Sequence, residues 1–131
     1  LQAELSIDTP HPAVPGAVTV ALCEAIDRLD PTRLAGLVGV GLPGPMNASA
    51  RVARVCINLP GWEDVPLADW LEVRRERGVT LANDGNCALV GEAWCGAAQG
   101  FSDVVLLTLG TGVGGGVLLA WQESRRSERS K

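Results

Sequence analysis

Five of the seven residues from Gly110 to Gly116 are glycine, and they split the apolar stretch DVVLLTLGTGVGGGVLLA (103–120) into two runs of mostly Val and Leu. Glycine costs about 1 kcal/mol per position in a helix interior relative to alanine, which excludes a stable helix here. A membrane-spanning segment needs ~18 or more apolar residues in one helix, and the glycines rule that out as well. What remains is a pair of strands, 103–110 and 114–120, joined so closely that they must run antiparallel. The glycines between them have two readings. They serve a plain hairpin turn, or they let backbone N–H groups approach an anion without side-chain obstruction, with Thr111 adding a hydroxyl. Phosphate is the natural guest for such a loop, although no Lys follows the glycines as it does in a P-loop.

The rest of the chain alternates helical and extended patterns. Pro15 opens a segment in which Val18, Leu22, Ala25, Ile26 and Leu29 fall on one helical face, ending before Asp30-Pro31. LAGLVGVGLPGP (34–45) reads as a buried strand that stops in a tight loop. RVARVCINLPGW (51–62) reads as extended, with its register open. VPLADWLEVRRERG (65–78) reads as a second helix with Pro66 in its first turn and Gly78 as its stop. VTLA (79–82) is a short strand, and DGNCALVGEAWCGAA (84–98) places Cys87, Val90, Trp94 and Ala97 on one face of a third helix. Strands separated by helices predict an α/β fold with a parallel or mixed sheet. ESRRSERSK (123–131) is charged and aperiodic, and is expected to be a solvated tail without fixed structure.

Composition narrows the function classes. The chain has 131 residues and 47% hydrophobic content, enough for one domain-sized core. A formal net charge of −4 offers no basic surface for nucleic acid or anionic lipid. Four scattered cysteines without a C-x-x-C pair, and a single His, argue against a zinc site or a disulfide framework, and fit a reducing cytoplasm.

Two further stretches can carry chemistry. In LANDGNCAL (81–89), Asn83 and Asp84 sit where a strand gives way to a helix, the place where open α/β sheets hold their ligands. The same Asn-Asp-Gly is also ordinary turn and N-cap chemistry. In GVGLPGPMN (39–47), Gly41 and Gly44 lie in a strand-end loop that on spacing alone is a turn.

Taken in order, GVGLPGPMN, NLPGW, LANDGNCALVGEAWCGAAQG and VLLTLGTGVGGGVLL resemble the ROK family of bacterial sugar kinases and repressors, specifically its glucokinase-like members, over about 35–119. The resemblance implies a ribonuclease H-like, actin-type ATPase fold in which two α/β lobes close over ATP and a hexose. Residues 1–98 would then be the small lobe without its first strands, ending in the interlobe helix. Residues 99–120 would be the first β-hairpin of the large ATP-binding lobe, and 121–131 the charged tail. It further implies that Asn83 and Asp84 bind sugar hydroxyls and that Asp84 is the catalytic base for the attacking hydroxyl on C6. Gly44 would lie against the sugar, with Asn58 of NLPGW facing the same cleft. Gly110, Thr111 and Gly112 match the second phosphate motif of the family. Mg2+ would bridge the ATP phosphates without a dedicated protein cage.

The implied reaction is ATP-dependent phosphorylation of a hexose, glucose to glucose 6-phosphate, in a cytoplasmic protein that forms a homo-oligomer when complete and uses neither nucleic acid nor membrane. Fructose, N-acetylmannosamine or N-acetylglucosamine kinases and a sugar-sensing repressor are the alternatives within the family. The sequence also departs from the pattern. It lacks the Asp-x-Gly-x-Thr strand that opens family members, the Glu-x-x-Gly-His segment, and the cysteine cluster that binds structural zinc. An internal fragment is therefore expected, one that binds hexose and ATP weakly or not at all by itself.

Overall fold

Pro15 starts the first helix of the computed structural model, which describes residues 3–110 and 112–120. Helix α1 spans Pro15–Leu29 and has no side-chain N-cap; the fixed φ of Pro15 suits a first turn whose N–H needs no partner. Cys23 is buried in the core and Val18, Leu22 and Ile26 pack beside it. Thr19 is also buried, and its hydroxyl donates to the Pro15 carbonyl at 2.7 Å. At the far end, the Asp30 carboxylate accepts the N–H groups of Leu34 and Ala35 at 3.0 and 2.8 Å and a guanidinium N–H of buried Arg77 at 2.9 Å. The backbone donors first, and then Arg77, hold the Asp30 carboxyl below the usual carboxylate range.

The next elements are β1 (Leu37–Leu42), β2 (Ala53–Val55), β3 (Glu63–Val65), α2 (Leu67–Arg75) and β4 (Gly78–Asn83). Strands β1 and β4 pair in parallel from Leu37↔Gly78 to Leu42↔Asn83, and β2 and β3 form an antiparallel pair between them in sequence. The expected burial of 34–45 is only half met. Val38 and Val40 pack against the core, whereas Leu37, Gly39 and Gly41 face outward, because among the described residues β1 has β4 as its only strand partner. The 51–62 segment is a strand for three residues, then a turn that returns to Trp62. This indole is 1% exposed and its N–H donates to the Ala13 carbonyl at 2.8 Å, which ties the segment before α1 to the core.

The outer edge of β4 is met by side chains and a loop. The Val79 N–H donates to Glu72 Oε1 at 2.8 Å, Arg51 Nη1 donates to the Val79 carbonyl at 3.3 Å, and the Leu81 N–H donates to the Ala50 carbonyl at 2.8 Å. Arg51 also pairs with Asp69 and Glu72, and this pairing holds the Glu72 carboxyl low while raising the guanidinium.

Helix α2 does not stop at Gly78. It stops at Glu76, which takes a left-handed conformation (φ +53°) and donates its N–H to the Glu72 carbonyl. The chain must turn there because Arg77 is drawn in to Asp30, and Gly78 already belongs to β4, where a Cβ would sit 3.3 Å from Leu37 Cδ1. A left-handed non-glycine residue costs about 1–2 kcal/mol, so Glu76→Gly is expected to raise the unfolding free energy by about 1 kcal/mol in a urea titration. A loss of stability would mean that the exposed 3.8 Å pair of Glu76 with Arg33 outweighs the strain.

The chain divides after Asp84 into two compact units. The second contains the rest of α3 (Asp84–Cys95) and the antiparallel hairpin of β5 (Val104–Leu109) and β6 (Val113–Leu118), paired from Val104↔Leu118 to Leu109↔Val113. The helix buries Leu89 and Ala93, not the expected face of Cys87, Val90, Trp94 and Ala97; Trp94 is 63% exposed. Helix α3 is apolar on more than one side, so spacing alone does not choose. The choice is made by Gly116, whose bare backbone lets β6 approach Leu89 and Asn86; a Cβ there would lie 2.9 Å from Leu89 Cδ2. No helix among the described residues is long and apolar enough to cross a membrane. The charged tail expected at 121–131 lies outside the described residues.

Candidate functional site

Parallel pairing puts the carboxyl ends of β1 and β4 side by side, with Leu42↔Asn83 as the last rung. From that edge the chain leaves through Pro43-Gly44 on one strand and through Asp84, the first residue of α3, on the other. Two of the expected sugar residues are bonded directly: Asn83 Nδ2 donates to the Gly44 carbonyl at 3.2 Å. Asn83 is half-buried, and Asp84 beside it is exposed. Asp84 begins the helix, where the positive end of the macrodipole favours a carboxylate. Its charge also reaches Cys56: burial, and then the nearby Asp84 carboxylate, push the buried Cys56 thiol up.

Gly44 is fixed by its surroundings. Its φ is +121°, and a Cβ would collide with the Val55 carbonyl oxygen at the end of β2. The loop that follows runs alongside β2, with the Arg54 N–H donating to the Pro45 carbonyl at 3.0 Å and the Asn47 N–H to the Val52 carbonyl at 3.0 Å. Asn47 Oδ1 accepts the N–H groups of Arg51 and Val52 at 2.8 and 3.0 Å, which holds the 47–52 turn closed. The sequence reading gave Asn47 no role, although an Asn before small residues is a signal for this side-chain-closed turn. Asn58 lies exposed in the turn after Cys56. The described structure thus joins Gly44, Asn83 and Asp84 on one strand-end edge, with Val55 and Cys56 packed behind Gly44.

In the second unit, the five glycines separate into two kinds. A Cβ at Gly115 would collide with the Leu106 carbonyl oxygen, one at Gly114 would lie 2.8 Å from Thr108 Oγ1, and Gly116 is crowded by α3. Gly115 is thus constrained by the hairpin's own backbone, whereas Gly114 and Gly116 are crowded by side chains, of β5 and α3 respectively. At Gly110 and Gly112 a Cβ would meet nothing within 4 Å, and neither adopts a positive φ. The Gly110 N–H donates to the Gly112 carbonyl at 3.0 Å and so shapes the turn. Thr111 lies outside the described residues. Gly110→Ala and Gly112→Ala are therefore expected to change the unfolding free energy by less than about 0.5 kcal/mol, against about 1–3 kcal/mol lost for Gly115→Ala. Denaturant melts of the three variants check this ordering.

Among the described residues, no group of three or more His, Cys, Asp or Glu side chains is placed to hold a metal ion.

The family model described as the ROK family matches residues 1–123. A glucokinase from Thermotoga maritima is 41% identical over 97 residues, which is 74% of this chain and 31% of that protein. An N-acetyl-D-glucosamine kinase from Salmonella paratyphi A is 38% identical over 120 residues, 91% of this chain and 39% of that protein. The crystal structure of a ROK family glucokinase from Streptomyces griseus, in complex with glucose and AMPPNP, matches with a TM-score of 0.79 at 33% identity, covering 87% of this chain and 36% of that one. The chain thus spans about a third of the length of the curated relatives it matches. Its α/β architecture is part of the actin-like ATPase fold of the ROK sugar kinases, and the chain belongs to the ROK family.

Proposed function

We propose that this chain forms part of an ATP-dependent hexose kinase, with glucose as the acceptor. The observation that carries the reading is the strand-end edge at which a conformationally fixed Gly44 loop, Asn83 and the Asp84 carboxylate come together. In this reading Asn83 and Asp84 hold sugar hydroxyls and the Gly44 backbone lines the sugar's approach. The Asp84 carboxylate takes the proton of the C6 hydroxyl as the hydroxyl oxygen bonds to the transferred phosphorus, and the bond from that phosphorus to its bridging oxygen breaks, so that ADP leaves. Phosphoryl transfer depends mostly on in-line positioning and charge stabilisation, and one placed carboxylate contributes about 10²–10⁴-fold.

ATP, when bound, supplies the phosphoryl group. Gly110, Thr111 and Gly112 are proposed to hold its phosphates, and the open space over Gly110 and Gly112 suits close approach by a bulky anion. Because Gly110 spends its N–H within the turn, its part is to shape the loop. Mg2+ would be held through the phosphates. In the same reading, residues 1–98 belong to a small lobe and 99–120 to the first hairpin of an ATP-binding lobe.

The test is a chimera in which this chain replaces the matching part of the Thermotoga maritima glucokinase, assayed for sugar-dependent ADP release. Glucose is expected to support turnover above N-acetylglucosamine, N-acetylmannosamine and fructose. Sugar binding without any sugar-dependent ADP release would overturn the kinase reading in favour of a sugar-sensing protein.

A further inference from the structure

The Gly44 loop and β4 are joined at two places. One is at the strand end, where Asn83 Nδ2 donates to the Gly44 carbonyl. The other lies four residues back along β4, roughly 13 Å at the usual strand rise, and centres on the half-buried Arg51. Its Nε donates to Asp69 Oδ1 at 2.8 Å, its Nη1 to Glu72 Oε1 at 3.1 Å and to the Val79 carbonyl at 3.3 Å, and its Nη2 to both carboxylates. Asp69 and Glu72 stand one turn apart on α2, and the guanidinium between them offsets the repulsion of two like charges. Glu72 Oε1 also accepts the Val79 N–H, so one charged cluster holds both backbone groups of Val79.

The main chain of Arg51 is tied down as well. Its N–H donates to Asn47 Oδ1 at 2.8 Å, and its carbonyl accepts the Ala68 N–H, a donor in the first turn of α2, at 3.2 Å. The neighbouring Ala50 carbonyl accepts the Leu81 N–H at 2.8 Å. From there the bonds lead back to the loop, because the Val52 carbonyl accepts the Asn47 N–H and the Pro45 carbonyl accepts the Arg54 N–H. A closed ring thus runs from Gly44 through residues 45–54 to Val79 and Leu81, and along β4 to Asn83. On the reading of Gly44, Asn83 and Asp84 as the sugar site, we propose that Arg51 is a positioning residue for glucose: its bonds to Asp69, Glu72 and Val79 set how far along β4 the Gly44 loop sits, and so the spacing between the Gly44 backbone and the Asn83-Asp84 pair. The forked guanidinium suits this task, since it can meet two carboxylates and a carbonyl at once in fixed directions.

The Thermotoga maritima chimera tests it through glucose titration by calorimetry and through kcat and the KM for ATP. Arg51→Met is expected to raise the glucose Kd by about tenfold and to lower kcat by a similar factor, with the KM for ATP unchanged, because only the sugar is misplaced. Arg51→Lys keeps the charge but loses the fork, and should raise the glucose Kd by a smaller factor; it serves if the methionine variant fails to fold. Arg75→Met is the control for a merely structural role. It removes the Asp27 pair and the bond to the Cys23 carbonyl, which tie α2 to α1, and should leave the glucose Kd unchanged. In the 131-residue chain, amide exchange followed by NMR should show Arg51→Met releasing the Leu81 and Arg54 N–H groups while the α1 amides keep their protection. An unchanged glucose Kd in both Arg51 variants, an equal loss in Arg75→Met, or faster exchange confined to Val79 would each overturn the proposal. A parent chimera that binds glucose without turnover overturns the kinase reading alone, and one that binds no glucose overturns the sugar site and the role of Arg51 together.

Discussion

Asp84→Asn, in the Thermotoga maritima chimera, is expected to lower kcat by about 10²–10⁴-fold while the dissociation constant for glucose changes little. Asparagine keeps the size of the side chain and one acceptor oxygen, so the sugar's hydroxyl groups are still met. It cannot take a proton at neutral pH, so the loss should fall on the chemical step. The measurement separates this from a structural role: glucose titration by calorimetry, and kcat and KM from ADP release. If Asp84 were only a cap for α3, the variant would keep near-normal turnover, since Asn caps helices about as well as Asp. Melting temperature adds a further check, because a folding defect would lower it and a missing base would not.

The second large effect is expected at Gly44. Gly44→Ala forces a side chain into a positive-φ conformation and against the Val55 carbonyl, which β2 holds in place through its pairing with β3. Backbone strain of this kind costs about 1–3 kcal/mol, and crowding a packed site adds a similar amount. The predicted outcome is a loss of about 3 kcal/mol in a urea titration of the 131-residue chain. In the chimera it should be accompanied by weaker glucose binding, because the Gly44 carbonyl moves away from Asn83 Nδ2. Gly39→Ala is the control: a Cβ there meets nothing within 4 Å, and its melting curve should stay close to that of the parent. If the two alanine variants melt alike, Gly44 is not under the constraint described.

Much of this was legible in the sequence wherever local rules dominate. The α1 span follows from Pro15 and its apolar period, the hairpin from two β-rich runs around glycines, and the Asn83-Asp84 junction from a strand meeting a helix. The features that were not legible depend on what lies opposite in space. Glu76 ends α2 because Arg77 is pulled toward Asp30, 47 residues earlier in the chain. Leu89 and Ala93 are the buried face of α3, and Gly116 in β6 is what allows the sheet to reach Leu89. At the site, the sequence named Gly44 as part of a turn but gave no sign that Val55 would press on it. In the glycine loop, composition could not separate Gly110 and Gly112, where a Cβ would meet nothing within 4 Å, from Gly115, where it would collide with the Leu106 carbonyl, or from Gly114 and Gly116, where it would crowd side chains.

The partners of Val79 and Leu81 have a consequence for how this sheet can be enlarged. Glu72, Arg51 and the Ala50 carbonyl occupy the backbone groups along one side of β4, so that side acts as a sealed border. Among the described residues β1 pairs with no strand but β4, so a strand supplied by a longer polypeptide, or by a binding protein, would dock on the other flank of β1. Growth of the sheet is thereby made one-directional, and three groups at residues 50, 51 and 72 set the direction.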